Sequence, residues 1–353
     1  MPPYDVRRTS DIVAALDRFF TERVPGARTS QVTRVGGGAS KEQFVFTLTG
    51  GGGSAKRYLL RMDALEAITE TDRKREFEVL QAMQGRVPAP RPCWLDESGE
   101  TFGRPAAIIE FVDGVTKPRV AGKASGLGIW LGEPLRGKLK GPFLDHLVAL
   151  HAFDFRRAAL STFSVPDADP KQTARWGVNY WRQLWHEDSI EPSPIMTYAE
   201  QWMLENLPEC RELAFTHGDY RTGNYLFDEA SGRIVAVLDW ELARIGDHHE
   251  DLAWILRPQS GTLDNGRFRA SDLYEPEEFI DAYQRASGRT VDRKVLHFYA
   301  VLSAWKSCAM VEGTGIRIAR AQHNHQDVLL TYVAGTAAMF RGALCRLLEV
   351  GAP

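Results

Sequence analysis

The sequence predicts an α+β protein of two lobes, a small β-rich lobe (residues 1–113) followed by a larger helical one (residues 114–353). Three observations point there. Strand-like runs crowd the first third of the chain and are separated by glycine clusters. From residue 143 onward most of the sequence carries helical periodicity. Between the two, at Asp113-Gly114, the composition changes abruptly. A chain of 353 residues buries enough of its unfolded surface to hold a core without disulfide staples.

Lys and Arg number 43 against 46 Asp and Glu, a net charge of −3. That balance excludes a global nucleic-acid binder or membrane-surface binder. An apolar content of 44% with 25% charged residues excludes disorder as the main state. The four cysteines lie far apart and form no CxxC pair, as in a reducing compartment. The opening MPPYDVRRTSDIVAAL has no apolar signal core, and no run approaches the ~18 apolar residues of a membrane span. The expectation is a cytoplasmic protein with no nucleic-acid partner and no membrane partner.

In chain order, residues 10–24 start at Ser10 and place apolar residues at helical spacing. Residues 31–35 alternate as a strand does, Gly36-Gly37-Gly38 interrupt, and 43–48 (QFVFTL) resume. Four glycines at 50–53 predict a turn, and 57–62 (RYLLRM) a third strand. Residues 69–84 are a charged helix, ended by Pro88, Pro90 and Pro92 in an extended stretch. Residues 106–112 (AAIIEFV) form a buried strand. The segment 117–141 is glycine-rich and holds six basic residues against one acid, Glu133. Helices follow at 143–153, 173–186, 194–206, 275–287, 292–311 and 325–349, interrupted by a strand–turn–strand at 225–239.

Chemistry concentrates in 215–254, FTHGDYRTGNYLFDEASGRIVAVLDWELARIGDHHEDLAW. Asp219 and Asn224 lie in a polar loop, and the hairpin that follows brings Asp239 back beside Asn224. An amide oxygen and a carboxylate are hard ligands that suit Mg²⁺. Asp219, not needed for the metal, can accept a proton from an attacking hydroxyl. Base, Asn and second carboxylate together make metal-assisted phosphoryl transfer.

HGDxxxxN followed by LDWE resembles the aminoglycoside-phosphotransferase-like branch of the protein-kinase-like fold, and the resemblance runs through nearly the whole chain. VGGGASKEQFVFTL is similar to that family's glycine loop, RYLLRM to its third strand, REFEVLQAM to the helix bearing an ion-pairing Glu, and EFVDG to the hinge. FLDHLVALHAFD resembles the helix before the catalytic loop. The resemblance implies Asp219 as catalytic base, Asn224 and Asp239 as Mg²⁺ ligands, and Glu76 as partner of the strand-three cation. It also implies ATP as donor, held by Gly36, Gly37, Gly38, Ser40 and Arg61 and by the hinge at Glu110 and Val112. Arg61 stands where Lys is the more familiar residue; Arg57 and Lys56 are its alternatives.

Each feature has a plainer reading. The three glycines alone would suit a hairpin turn; next to a basic strand and a Glu-bearing helix they suit phosphates. His217 holds its loop by hydrogen bonds rather than serving as a base. Asp247-His248-His249-Glu250-Asp251 sits at a helix start where neighbours diverge, so it braces and caps rather than binding one ion. Trp176, Tyr180, Trp181 and Trp185 are core first and substrate wall second.

The expected acceptor is a hydroxyl on a small molecule. The basic segment 117–141, with Arg317 and Arg320 on a later helix, favours an anionic one. Arg on strand three with LDWE also resembles the kinase portion of 4-hydroxyacyl-CoA kinases, which implies an acyl-CoA dehydrogenase-like partner enzyme. An aminoglycoside acceptor and a nucleotide-binding pseudokinase scaffold are the alternatives.

Overall fold

The computed structural model describes residues 9–36, 41–50, 53–64, 67, 69, 72–119, 128–321, 331 and 333–349. The first part is a five-stranded antiparallel sheet in the order β1-β2-β3-β5-β4. Its strands are β1 (Arg28–Arg34), β2 (Lys41–Gly50), β3 (Gly53–Asp63), β4 (Pro92–Asp96) and β5 (Ala106–Glu110). Side chains alternate across a strand, so Phe44, Phe46, Leu48, Tyr58, Leu60 and Met62 share one face. There α1 (Thr9–Arg23) buries Ile12, Leu16, Phe19 and Phe20 against them. Each such side chain contributes about 1.5–3 kcal/mol.

The opposite face takes Leu59 and Ile109 against Val79, Leu80 and Met83 of α2 (Arg73–Met83). The same alternation turns Lys41, Gln43 and Arg61 to this second face, with Gln43 directly opposite Arg61. α2 begins at Arg73 rather than residue 69 because Asp72 caps it, accepting from the N–H groups of Lys74 and Arg75 at 2.8 and 3.1 Å.

Beyond Glu110 the chain crosses to the helical lobe. Val115 and Phe227 exchange two backbone hydrogen bonds of 3.0 Å and tie the crossing to that lobe. Helix α3 (Glu133–His151) starts ten residues before the predicted 143, with a proline in its first turn and Pro142 inside it. Gly137 and Gly141 face open space, which blurred the apolar period. α4 (Gln172–Asp188), α5 (Pro194–Glu205), α7 (Pro276–Ser287) and α8 (Arg293–Cys308) fall close to expectation. A π-helical turn, Ala309–Gly315, leads from α8 into α9 (Ile316–Ala321). The last described helix, α10, spans Ala337–Glu349; residues 325–330 of the predicted helix lie outside the described residues.

Two cores fill this lobe. One joins α3 and α7 to the catalytic-loop region, and the other joins α4, α5, α8 and α10. Between them lie β6 (Ala214–Thr216), the predicted hairpin as β7 (Tyr225–Phe227) and β8 (Ile234–Val237), β9 (Arg244–Gly246) and α6 (His249–Leu256). β6 pairs with β9, and a further hairpin joins β10 (Thr262–Asp264) to β11 (Arg267–Arg269). No described helix is long and apolar enough to cross a membrane.

Candidate active site

The β6–β7 connection carries Asp219 and Asn224, and backbone bonds fix its shape. Asp251 at the start of α6 accepts the N–H of His217 at 2.8 Å and of Gly218 at 2.7 Å. His151 of α3 lies 3.1 Å from the same carboxylate, at the oxygen that holds His217. Burial pushes the His217 pKa down, although Asp251 and Asp219 pull the other way. The neutral ring donates from Nε2 to Leu238 O at 2.8 Å, and its Nδ1 accepts the Asp219 N–H at 3.2 Å. His217 is therefore a brace with both nitrogens engaged, as expected. Gly218 has φ +79°, and a Cβ there would sit 2.5 Å from Leu242 O.

Asp219 receives three side-chain hydrogen bonds on its carboxylate. Its Oδ1 accepts from Trp254 Nε1 at 2.5 Å and Arg221 Nε at 3.0 Å, and Oδ2 accepts from Asn224 Nδ2 at 2.6 Å. Arg257 adds its positive field. Burial alone would raise the carboxyl pKa; Arg221, Arg257 and the Trp254 bond outweigh it and hold the group ionised.

The hairpin returns the chain as predicted: Tyr225 pairs with Val237, and Leu238 N–H bonds Asn224 O at 2.8 Å. Asp239 follows at once, in the left-handed region (φ 58°, ψ 57°). Its Oδ1 receives both Lys41 Nζ at 3.0 Å and Arg61 Nη2 at 3.2 Å. Lys41, and against it burial, then Arg61, set its acidity: the two cations prevail and keep it well below the usual carboxylate range.

Arg61 also meets Glu76 at 2.7 Å, so the strand-three cation and the α2 acid do pair. Arg73 takes the other Glu76 oxygen at 2.5 Å. Against the cost of burial, Arg61, Lys41 and Arg73 bring the Glu76 pKa down to about 2. Of the alternatives to Arg61, Arg57 pairs with Asp113 and lies over the Phe111 ring, while Lys56 is exposed near Glu110. Neither enters the site.

A cleft of about 460 Å³ opens between the lobes, lined by Gly36, Lys41, Arg61, Glu110, Val112, Asp239 and their neighbours. Glu110 itself is held by Arg91 at 2.7 Å. Gly37, Gly38 and Ser40 lie outside the described residues. Lys41, which no motif marks, also bonds Glu241 at 2.8 Å. The alternation Lys41-Gln43 opposite the core-facing Phe44 and Phe46 was the signal that could have found it.

Other expectations divide. Trp181 and Trp185 are core, and Trp181 together with the exposed Trp176 and Tyr180 also lines a second cavity of about 390 Å³ that reaches Glu241 and Lys306. The ligand atoms of Asp247, His248 and His249 converge within 4.8 Å rather than diverging. His249 nevertheless spends both ring nitrogens, on Asp247 at 2.6 Å and on Asp292 N–H at 3.0 Å. The basic segment needs correction. Arg136 is buried against Asp272, Asp264 and Glu133, Lys140 pairs with Glu278, Arg119 with Glu229, and Lys138 donates to Ala230 O. Arg136, Lys138 and Lys140 are committed to these partners in the first turns of α3, whereas Arg119 lies before the helix and is exposed, 3.9 Å from Glu229. Residues 120–127, with Lys123, lie outside the described residues. Arg317 likewise pairs with Asp188 at 2.7 Å.

A sheet-bearing lobe and a helical lobe with a cleft between them, and an HGD loop tied through His217 to Leu238 beside the cleft-lining Asp239, make the architecture of a kinase-like phosphotransferase. Residues 31–299 match the Phosphotransferase enzyme family, and the chain belongs to it. A candidate aminoglycoside phosphotransferase of Ralstonia eutropha has a similar structure, with a TM-score of 0.70, 21% identity and coverage of 95% of this chain and 98% of that one. The aminoglycoside phosphotransferase APH(4)-Ia, in complex with ADP and hygromycin B, gives a TM-score of 0.58 at 17% identity over 96% of this chain and 99% of that one. In sequence the chain resembles Acyl-CoA dehydrogenase family member 11 of Rattus norvegicus, 25% identical over 338 residues and 90% of this chain. It spans about two fifths of the length of the curated relatives it matches, 38% and 41% for two of them.

Proposed function

We propose that the chain transfers the γ-phosphoryl group of ATP to a hydroxyl of a small anionic metabolite, with Asp219 as base. The observation that carries this reading is that Asn224 bonds Asp219 and, through Leu238 N–H, the residue before Asp239, while Asp239 lines a cleft shared with Arg61, Lys41 and residues 110–112. Asp219 is held ionised, and Oδ1 already takes two donors against one on Oδ2. Oδ2 is thus the atom to accept the hydroxyl proton as the acceptor oxygen attacks γ-phosphorus and ADP leaves.

The residues fit Mg²⁺. Asn224 commits Nδ2 to Asp219, which turns its amide oxygen to a cation, and both cationic contacts of Asp239 fall on a single oxygen, Oδ1. When bound, Mg²⁺ neutralises charge on the phosphoryl oxygens. Arg61 and Lys41 position the donor's phosphates, and Glu76 fixes Arg61. By the family's pattern Gly36, Gly37, Gly38 and Ser40 are assigned to the phosphates, and Glu110 and Val112 to the base. In this reading residues 1–113 form the nucleotide lobe and 114–353 carry the catalytic loop and the acceptor site.

Similarity to proteins named for acyl-CoA dehydrogenases supports a hydroxyacyl-CoA as acceptor and an acyl-CoA dehydrogenase-like partner. Four unpaired cysteines suit the cytoplasm. The test is mass spectrometry of hydroxyacyl-CoAs, aminoglycosides, amino alcohols and sugars incubated with the protein, ATP and Mg²⁺. One acceptor should gain a phosphate. Asp219→Asn should lower kcat roughly 10²–10⁴-fold with nucleotide affinity kept; equal loss of nucleotide binding would make Asp219 structural instead.

A further inference from the structure

Two cations stand against Trp254, the residue that holds Asp219, and neither has a substrate group assigned to it above, although the field of Arg257 helps to keep Asp219 ionised. Lys306 of α8 is buried and donates to Gly218 O at 2.9 Å, and its Nζ stands 3.8 Å from the centre of the Trp254 ring. Arg257, at the end of α6, places its guanidinium carbon 3.3 Å from the same ring centre and donates from Nε to Ser260 Oγ at 2.6 Å. Trp254 is the residue whose Nε1 holds Asp219. Lys306 lines the 390 Å³ cavity, and Arg257 lines a mostly apolar cavity of about 660 Å³ walled by α6, α8 and α10. Among the described residues neither cation forms an ion pair, in contrast to the committed cations of the 117–141 segment.

We propose that Lys306 and Arg257 select the acceptor by its charge, binding an oxyanion, a carboxylate or a phosphate, borne by the molecule whose hydroxyl meets Asp219. The proposal rests on the phosphotransferase reading and deepens it. A buried cation without a counter-charge keeps its desolvation cost until an anion arrives, and a charge-assisted bond then forms in a low-dielectric setting. The pKa directions agree. Burial pushes Lys306 down to about 8 against the pull of Glu250 and Asp219, and Arg257 down to about 9 against the pull of Asp219. An ammonium-bearing acceptor in the same place would add a further positive charge beside Lys306, Arg257 and Arg221. The apolar cavity beside Arg257 gives room for a hydrocarbon chain attached to the anion.

The test uses the full chain with ATP and Mg²⁺ and four probes of matched chain length: a hydroxycarboxylate, its coenzyme A thioester, its neutral amide and an amino alcohol. Phosphorylated product is read by mass spectrometry, and nucleotide affinity by calorimetry. The wild type should favour one of the two anionic probes, and which one it favours separates a carboxylate from a phosphate as the recognised group. Arg257→Gln and Lys306→Met should each raise the ratio of KM for that probe to KM for the amide roughly tenfold or more, as loss of a charge-assisted contact does, whatever they do to kcat through Asp219, with nucleotide affinity kept. Lys306→Arg should retain most of the preference. If the variants affect the anionic probe and the amide alike, or if the amino alcohol is preferred, the proposal is overturned while the phosphotransferase reading stands. If no probe of any charge gains a phosphate, both fall.

Discussion

Glu76 holds Arg61 by one carboxylate oxygen and Arg73 by the other, with Lys41 3.7 Å away, all four side chains being buried. Its folded pKa of about 2 lies below the unfolded value of 4.5. The ionised carboxylate therefore stabilises the fold fully above pH ~4.5, and that contribution, about 3 kcal/mol, is lost as pH falls toward 2. Melting temperature measured between pH 2 and 6 should show this acid limb. Glu76→Gln should flatten it and lower stability at pH 7, since it leaves buried cations short of a partner. A variant with an unchanged acid limb would mean that other carboxylates dominate it. At Gly218 the constraint is steric: Gly218→Ala meets Leu242 O and a positive φ together, and should cost activity even where the protein still folds. Activity equal to wild type in a folded variant would contradict the close approach.

Helix α2 brings Glu76 to the sheet, and its single side-chain cap is Asp72. Asp72→Ala should cost about 1 kcal/mol of stability in denaturant unfolding, with a smaller effect on turnover than any change at Glu76 itself. A loss well beyond 2 kcal/mol would show that Asp72 does more than cap. The elements that reading foresaw share a property: each is long or carries its own punctuation, as α2, α7 and the β7–β8 hairpin do. β6, β9, β10 and β11 are three residues each, too short for a period of two to declare itself. The first ten residues of α3 hid behind glycines and a proline. The same rule governs the site. Asp219, Asn224 and Asp239 were legible because they lie within twenty-one positions of one another. Lys41 reaches Asp239 across 198 positions, and Trp254, Arg257 and Lys306 come from helices whose meeting no local pattern announces. A buried cation without an ion-pair partner is a property of the packed chain alone.

The two lobes contribute unequally to the two halves of the site. Lys41 and Arg61 come from the sheet and Asp239 from the helical lobe, so the donor half is made by contact between lobes. A nucleotide bound there should raise the melting temperature by linkage, about 2.7 kcal/mol of stabilisation at a hundredfold excess over Kd. Mg²⁺ should enlarge the effect in the wild type and fail to do so in Asp239→Asn, a change that keeps a residue at ease in the left-handed backbone. Equal Mg²⁺ dependence in both proteins would remove Asp239 from the metal. In the proposed reaction the acceptor half is different: Asp251, His217, Trp254 and Asn224, which hold Asp219 and its loop, all belong to the helical lobe. The proton acceptor is accordingly assembled before either substrate docks. Thickening the medium should then slow nucleotide exchange, which involves both bodies, and leave the proton's passage to Asp219 untouched.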